Sequence, residues 1–305
     1  MASDFKFYSR SFAELTSMLN SYITDVAGNV IGSITPVATQ LLVLYIALWG
    51  YAMMRGMISE PWGDGAQRLI RLSMITALAL NVGRYNSYFV EFLWNAPDRL
   101  AAIVAGSSYG SVSNIQFLDR LMSQMYDLGD AYWQKAYAGA SVMPDLGMIF
   151  TAWAIWLCGL AVTAYGAFLL ALSKMALAVL LAIGPIYVLM MIFEGTKKFF
   201  ESWIGQTLNY GMLVVLTAAV IRLILTILNM YLGALDSSGA VADPSISQAL
   251  PAVALSAIGV LVMMQLSTIA SALGGGVAVS TMGAAGAMWN KAKGAAGQAR
   301  DVGVR

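Results

Sequence analysis

Charges are missing from long runs of this 305-residue chain, and each run is about the length of a membrane crossing. A helix needs roughly 20 apolar residues to span the hydrocarbon of a bilayer. No residue between Asp25 and Arg55 is charged, and residues 33–57 read as a first span with Pro36 in its first turn. A loop with Pro61 leads to a weaker second span, about 69–94. Arg71 and Arg84 bound its core, and Tyr85, Tyr88, Phe89, Phe92 and Trp94 suit the headgroup region. The 28 uncharged residues between Asp145 and Lys174 give a third span, with Pro144 and Asp145 placed to turn and N-cap it. Residues 175–193, interrupted by Gly184–Pro185, give a fourth. Residues 202–221 give a fifth, open to extension past Arg222 to Leu235, and 251–273 a sixth, ended by Gly274, Gly275 and Gly276. The fold class expected is all-α: a polytopic membrane protein with five or six transmembrane helices. No cleavable leader is visible, so the first span is expected to direct insertion.

Composition agrees. Charged residues are 11% of the chain against about a quarter in soluble domains, too few to wet a globule of this size. A soluble enzyme, a disordered chain and a basic nucleic-acid module are excluded. There is no His, which removes His-based triads, zinc sites and haem ligation. With Cys158 as the one cysteine, no intrachain disulfide or thiolate cluster can form. No P-loop or GxGxxG is present. The chain therefore reads as a non-enzyme with no catalytic residues, cofactor or metal.

The remaining segments are patterned. Phe5, Tyr8, Phe12, Leu15, Leu19, Tyr22 and Val26 recur at alternating steps of three and four, one stripe of an amphipathic N-terminal helix. Such a stripe lies on a membrane surface or against a partner. Ile115, Leu118, Met122, Met125, Tyr132 and Ala136 make a second stripe, with Asp119, Arg120, Asp127, Asp130 and Lys135 on other faces. Residues 96–144 thus read as a soluble loop folded into helices. The organisation expected is an amphipathic helix over 1–32, two spans over 33–95, a helical loop over 96–144, a hydrophobic bundle over 145–275 and a Gly/Ala-rich basic tail over 276–305. Small residues four apart, Gly28 with Gly32 and Ser267 with Ser271, allow close helix approach.

One stretch is denser in signal than the others. Leu181-Ala-Ile-Gly-Pro-Ile-Tyr breaks a helix, and Phe193-Glu-Gly-Thr-Lys-Lys-Phe-Phe-Glu-Ser-Trp203 makes a polar turn before the next. A Gly-Pro break frees backbone groups that protein or a water-lined path must satisfy. The bland reading is a kinked helix and an interfacial loop. Gly184, Pro185, Lys197, Lys198, Phe199 and Trp203 resemble the signature of the TrbL family, polytopic inner-membrane subunits of bacterial type IV secretion and conjugation machines. The segment Met190-Met-Ile-Phe-Glu194 lacks a proline that many members carry there. The resemblance covers about residues 30–275 and is sharp over 170–215. It implies a non-enzymatic, multi-pass protein of the bacterial inner membrane, with a periplasmic N-terminus and central loop. Positive-inside counting of six spans instead puts the N-terminus inside, so sidedness stays open.

Arg222, inside an apolar helix, either lines a subunit contact or conduit or snorkels to an interface. The function implied is a channel and assembly platform for pilus biogenesis and for passage of DNA or protein, built as a homo-oligomeric ring. Pilus-tip or minor pilin, major pilin, scaffold subunits and lipid are the partners, with the N-terminal stripe and loop 96–144 as contact surfaces. The rival is a secondary transporter of small solutes, suggested by the broken helix.

Overall fold

The computed structural model describes residues 4–57, 62–104, 106, 115–138, 144–237 and 245–274. The basic tail expected over 276–305 lies outside the described residues. The described chain is helical: α1 Phe7–Met54, α2 Trp62–Ala79, α3 Val82–Tyr85, a π-helical turn Asn86–Val90, α4 Glu91–Val104, α5 Gln116–Ala138, α6 Leu146–Met190, α7 Lys197–Ser237 and α8 Ile246–Leu273.

Four of these helices, α1, α6, α7 and α8, are long and apolar enough to cross a membrane. Among the described residues, the five or six separate spans expected do not appear as separate helices. The third and fourth merge into α6, 45 residues that pass Lys174 and Pro185 without ending. A charge ends a span only where it must reach water, and Lys174 does not. The second span is divided instead. Asp64, Arg68 and Arg71 fall within the 18 residues of α2. Asn81 then restarts the chain as an N-cap, its Oδ1 accepting from the Arg84 N–H at 2.9 Å. The amphipathic N-terminal helix and the first span are one 48-residue helix, so Pro36 lies in its interior rather than in a first turn. The carbonyl that loses its donor there belongs to Gly32.

Asp145 caps α6 as its sequence position suggested, accepting from the Gly147 N–H at 2.8 Å and the Met148 N–H at 3.4 Å. Ser245 and Gln248 form a capping box at the start of α8.

The helices pack around α6. Tyr8 of α1 bonds Thr163, and Tyr45 stacks edge-on to Phe193 at 5.4 Å, so α1 runs parallel to α6. Trp203 reaches Leu180 and Ile221 lies against Gly166, so α7 returns antiparallel. Two cores result. One joins the start of α1, α5, the first half of α6, the middle of α7 and α8. The other joins the middle of α1, α2, α3, α4, the second half of α6 and the start of α7. Close approach does not use the expected small-residue pair, since a Cβ at Gly28 or Gly32 would meet nothing within 4 Å. It is used at Gly159, where a Cβ would lie 2.6 Å from Met125 Cβ, and at Gly259, 2.6 Å from Ile224.

Candidate functional site

Pro185 has no N–H, so the carbonyl of Leu181 one turn earlier loses its helical donor. Tyr85 supplies one from outside: its hydroxyl donates to Leu181 O at 2.6 Å. Trp203, entering from α7, donates its indole N–H to the adjacent carbonyl of Leu180 at 2.9 Å. Both side chains must come close to the α6 backbone, and this explains the glycine. A Cβ at 184 would stand 1.9 Å from Tyr85 Oη and 2.7 Å from Trp203 Cζ2. Pro185 creates the vacancy at Leu181 O, Gly184 gives access to it, Tyr85 closes it, and Trp203 adds a second bond to the carbonyl beside it.

Other rings wall the socket. Phe89 stacks on Tyr85 with centroids 5.7 Å apart, Tyr187 stacks on Trp203 at 6.1 Å, and Phe200 leans on Trp203 at 5.7 Å. Tyr85 is fully buried and Trp203 nearly so. Tyr85 directly precedes the π-helical turn and Phe89 lies within it. Such turns shift side-chain register within a helix and recur at functional sites.

Of the residues singled out from sequence, the structure brings Gly184, Pro185 and Trp203 together. Lys197, Lys198 and Phe199 lie apart from the socket, exposed at the start of α7, where Lys197 pairs with Glu201 at 3.3 Å. Arg222 is elsewhere, half-buried with its guanidinium carbon 5.0 Å from the centre of the Phe117 ring on α5.

In the N-terminal stripe, Tyr8 and Phe12 are buried against α5 and α6, and Leu15 and Leu19 pack at the edges of the two cores. Phe5 is half-buried, its N–H donating to Ser123 Oγ at 3.1 Å. Beyond Leu19 the buried line continues through Ile23, Ala27 and Ile31, leaving Tyr22 exposed and Val26 half-buried. Steps of four exceed the 3.6-residue turn, so this line winds around α1 in the opposite sense to a heptad seam.

Three groups escaped the sequence reading. Asp119, expected on the solvated face of its helix, is buried and caps the start of α1. Its two oxygens accept from the Tyr8 and Ser9 N–H groups at 2.9 Å each, and the Ser9 hydroxyl also donates to it. Its position beside Phe117 and Leu118 was the available signal. Lys174, read as a span boundary, is buried. Its Nζ lies 2.5 Å from Asp98 Oδ2 and 4.5 Å from the Trp94 ring centre. Tyr85, read as a headgroup aromatic, is the socket's donor. At the other end, the Tyr132 hydroxyl donates to Ser245 O at 3.0 Å, and burial, with Tyr231 second, pushes its pKa up to about 12.

The arrangement is a joint at which α3, the π-helical turn, α6 and α7 are held to one another. The profile of a family described as TrbL/VirB6 plasmid conjugal transfer protein matches residues 42–266. The type IV secretion system protein VirB6 of Brucella melitensis is 23% identical over 284 residues, covering 92% of this chain and 82% of its own length. That of Bartonella quintana is 24% identical over 267 residues, covering 86% and 77%. Protein VirB6 of Agrobacterium fabrum is 26% identical over 242 residues, covering 76% and 79%. The matched span takes in the socket, Lys174 and Arg222 together, and the chain belongs to the TrbL/VirB6 family.

Proposed function

We propose that this protein is an inner-membrane, multi-pass subunit of a bacterial type IV secretion or conjugation system. Its role on this reading is non-enzymatic: a homo-oligomeric ring that serves as platform for pilus assembly and forms part of the path for DNA or protein. Family membership supports the machine.

The observation that carries the assembly is apolar surface longer than a bilayer is thick. Phe150, Trp153 and Leu157 are exposed near the start of α6, and Leu48 and Met54 near the end of α1. From Phe150 to its end at Met190, α6 rises about 60 Å at 1.5 Å per residue, and α1 continues beyond that end, from Tyr45 beside Phe193 to Met54. A hydrocarbon core of about 30 Å covers half of that rise. Apolar surface beyond it needs protein cover, and neighbouring copies of the chain are the simplest source.

The exposed face of the N-terminal helix, with Phe7 and Met18, and the loop 96–144 are the surfaces assigned to pilus-tip, pilin and scaffold partners. The periplasmic side is assigned to both. Arg222 is held by Phe117 of its own chain, which favours a structural role over a conduit-lining one. The transporter reading loses its main support, because the carbonyl freed at the break, Leu181 O, is engaged by Tyr85 rather than left to line an ion site. Purification in mild detergent tests the proposal. A ring that carries a pilus-tip or scaffold partner supports it. A monomer that moves a solute into liposomes refutes it.

A further inference from the structure

An apolar groove of 390 Å³ runs between α1 and the end of α6. Ile34, Val37 and Leu41 form one wall; Ile186, Leu189 and Phe193 form the other. Val37 and Leu41 are more than half exposed, so the groove opens sideways. The α1 wall carries no charge between Asp25 and Arg55, which turns the opening toward lipid. From Ser33 to Leu42 the wall rises about 14 Å, close to half of the ~30 Å hydrocarbon core and so to one leaflet.

The groove has a polar end. Thr196 is its last lining residue, and Lys197 and Lys198 follow directly as the first two residues of α7. Lys198 makes no ion pair among the described residues, while Lys197 has only the exposed partner Glu201. Arg68 donates to Tyr45 Oη at 3.3 Å, and Tyr45 packs on Phe193 at the same end. Glu194 is the acidic residue in this turn, exposed beside Thr196. A helix N-terminus with two lysines favours phosphate, and the apolar trough below it fits a chain of methylenes.

We propose that this groove holds one acyl chain of a membrane glycerophospholipid, with its phosphate at Lys198 and the start of α7. Phosphatidylethanolamine suits the site, since its ammonium meets Glu194. The lipid would fill the trough between α1 and the helix break and fix their spacing. This site is independent of the secretion role.

Native mass spectrometry of the delipidated full chain, titrated with phosphatidylethanolamine or with diacylglycerol of the same acyl chains, tests it. The wild type is expected to retain the phospholipid about fivefold more tightly, the contribution of roughly one lysine at a membrane surface. Lys198→Gln, an exposed change that leaves packing untouched, should erase that preference. Ala38→Trp, which fills the trough, should abolish retention of both lipids. Equal retention of the two lipids by the wild type overturns the phosphate assignment. Retention unchanged by Ala38→Trp overturns the location. A dimer that Ala38→Trp dissociates, with no lipid bound, means that a second copy occupies the groove and also overturns it.

Discussion

Gly184 and Tyr85 hold the helix break closed by opposite means, one through an absent side chain and one through a present hydroxyl. Gly184→Ala puts a methyl where Tyr85 Oη stands, 1.9 Å away, so the tyrosine or the backbone must move. Overpacking of this kind costs about 1–3 kcal/mol. Tyr85→Phe keeps the ring and removes the donor, leaving Leu181 O buried without a partner, at about 1–3 kcal/mol. Both variants should therefore lower the melting temperature in detergent, and combining them should cost less than the sum, because the phenylalanine no longer presents the oxygen that clashes. The buried ion pair gives an asymmetric prediction. Lys174 is enclosed, whereas the Asp98 side chain is 46% exposed. Asp98→Asn strands a buried ammonium, while Lys174→Met leaves a carboxylate that can turn to water. Thermal unfolding should show the larger loss for Asp98→Asn; equal losses would mean that the pair contributes through packing on Trp94 instead.

The long helices were legible as apolar segments, and their joints were not. Intervals between charges locate the two ends of α6 and place α7 and α8, because desolvating an unpaired charge is costly wherever it falls in a helix. The same rule fails at Lys174, since a partner from α4 removes the cost, and no local pattern reveals that partner. The Gly-Pro break likewise does not divide α6, because Tyr85 of α3 supplies the donor missing at Leu181 O. The socket was half visible: Gly184, Pro185 and Trp203 stand in one segment, but Tyr85 lies far away in the chain. The N-terminal stripe and the buried face of α1 agree as far as Leu19 and part beyond it, because a three-four alternation drifts one way around a 3.6-residue helix and the observed steps of four drift the other. This changes how the N-terminus should be probed. Removing residues 3–26 would take Tyr8, Phe12 and Ile23 out of the cores and unfold the element. Phe7→Asp with Met18→Asp alters only the exposed face, at side chains 68% and 69% exposed. That pair is expected to keep the melting temperature and lose co-purification with the partner. Asp119→Ala should do the reverse. Losing the cap of α1, worth about 1–2 kcal/mol, should raise hydrogen exchange over residues 7–19 before any other segment opens.

Over the whole molecule, two cores are stacked along α6, a helix about twice as long as the hydrocarbon core of a bilayer is thick. The end with α5 carries Arg120, Asp127, Asp130 and Lys135 on that helix, and the end with the break carries the lysine turn at 197–198. Yet apolar residues are exposed at both ends, Phe150 at 72% and Met54 at 83%. A single bilayer cannot hide both. Self-association is the cover predicted for these faces, and the mass of the protein in mild detergent measures it directly. Light scattering on the purified full chain should give one discrete multiple of the 32.5 kDa subunit, unchanged over a tenfold dilution. A stable, monodisperse monomer of 32.5 kDa, with these faces covered by detergent alone, would contradict it.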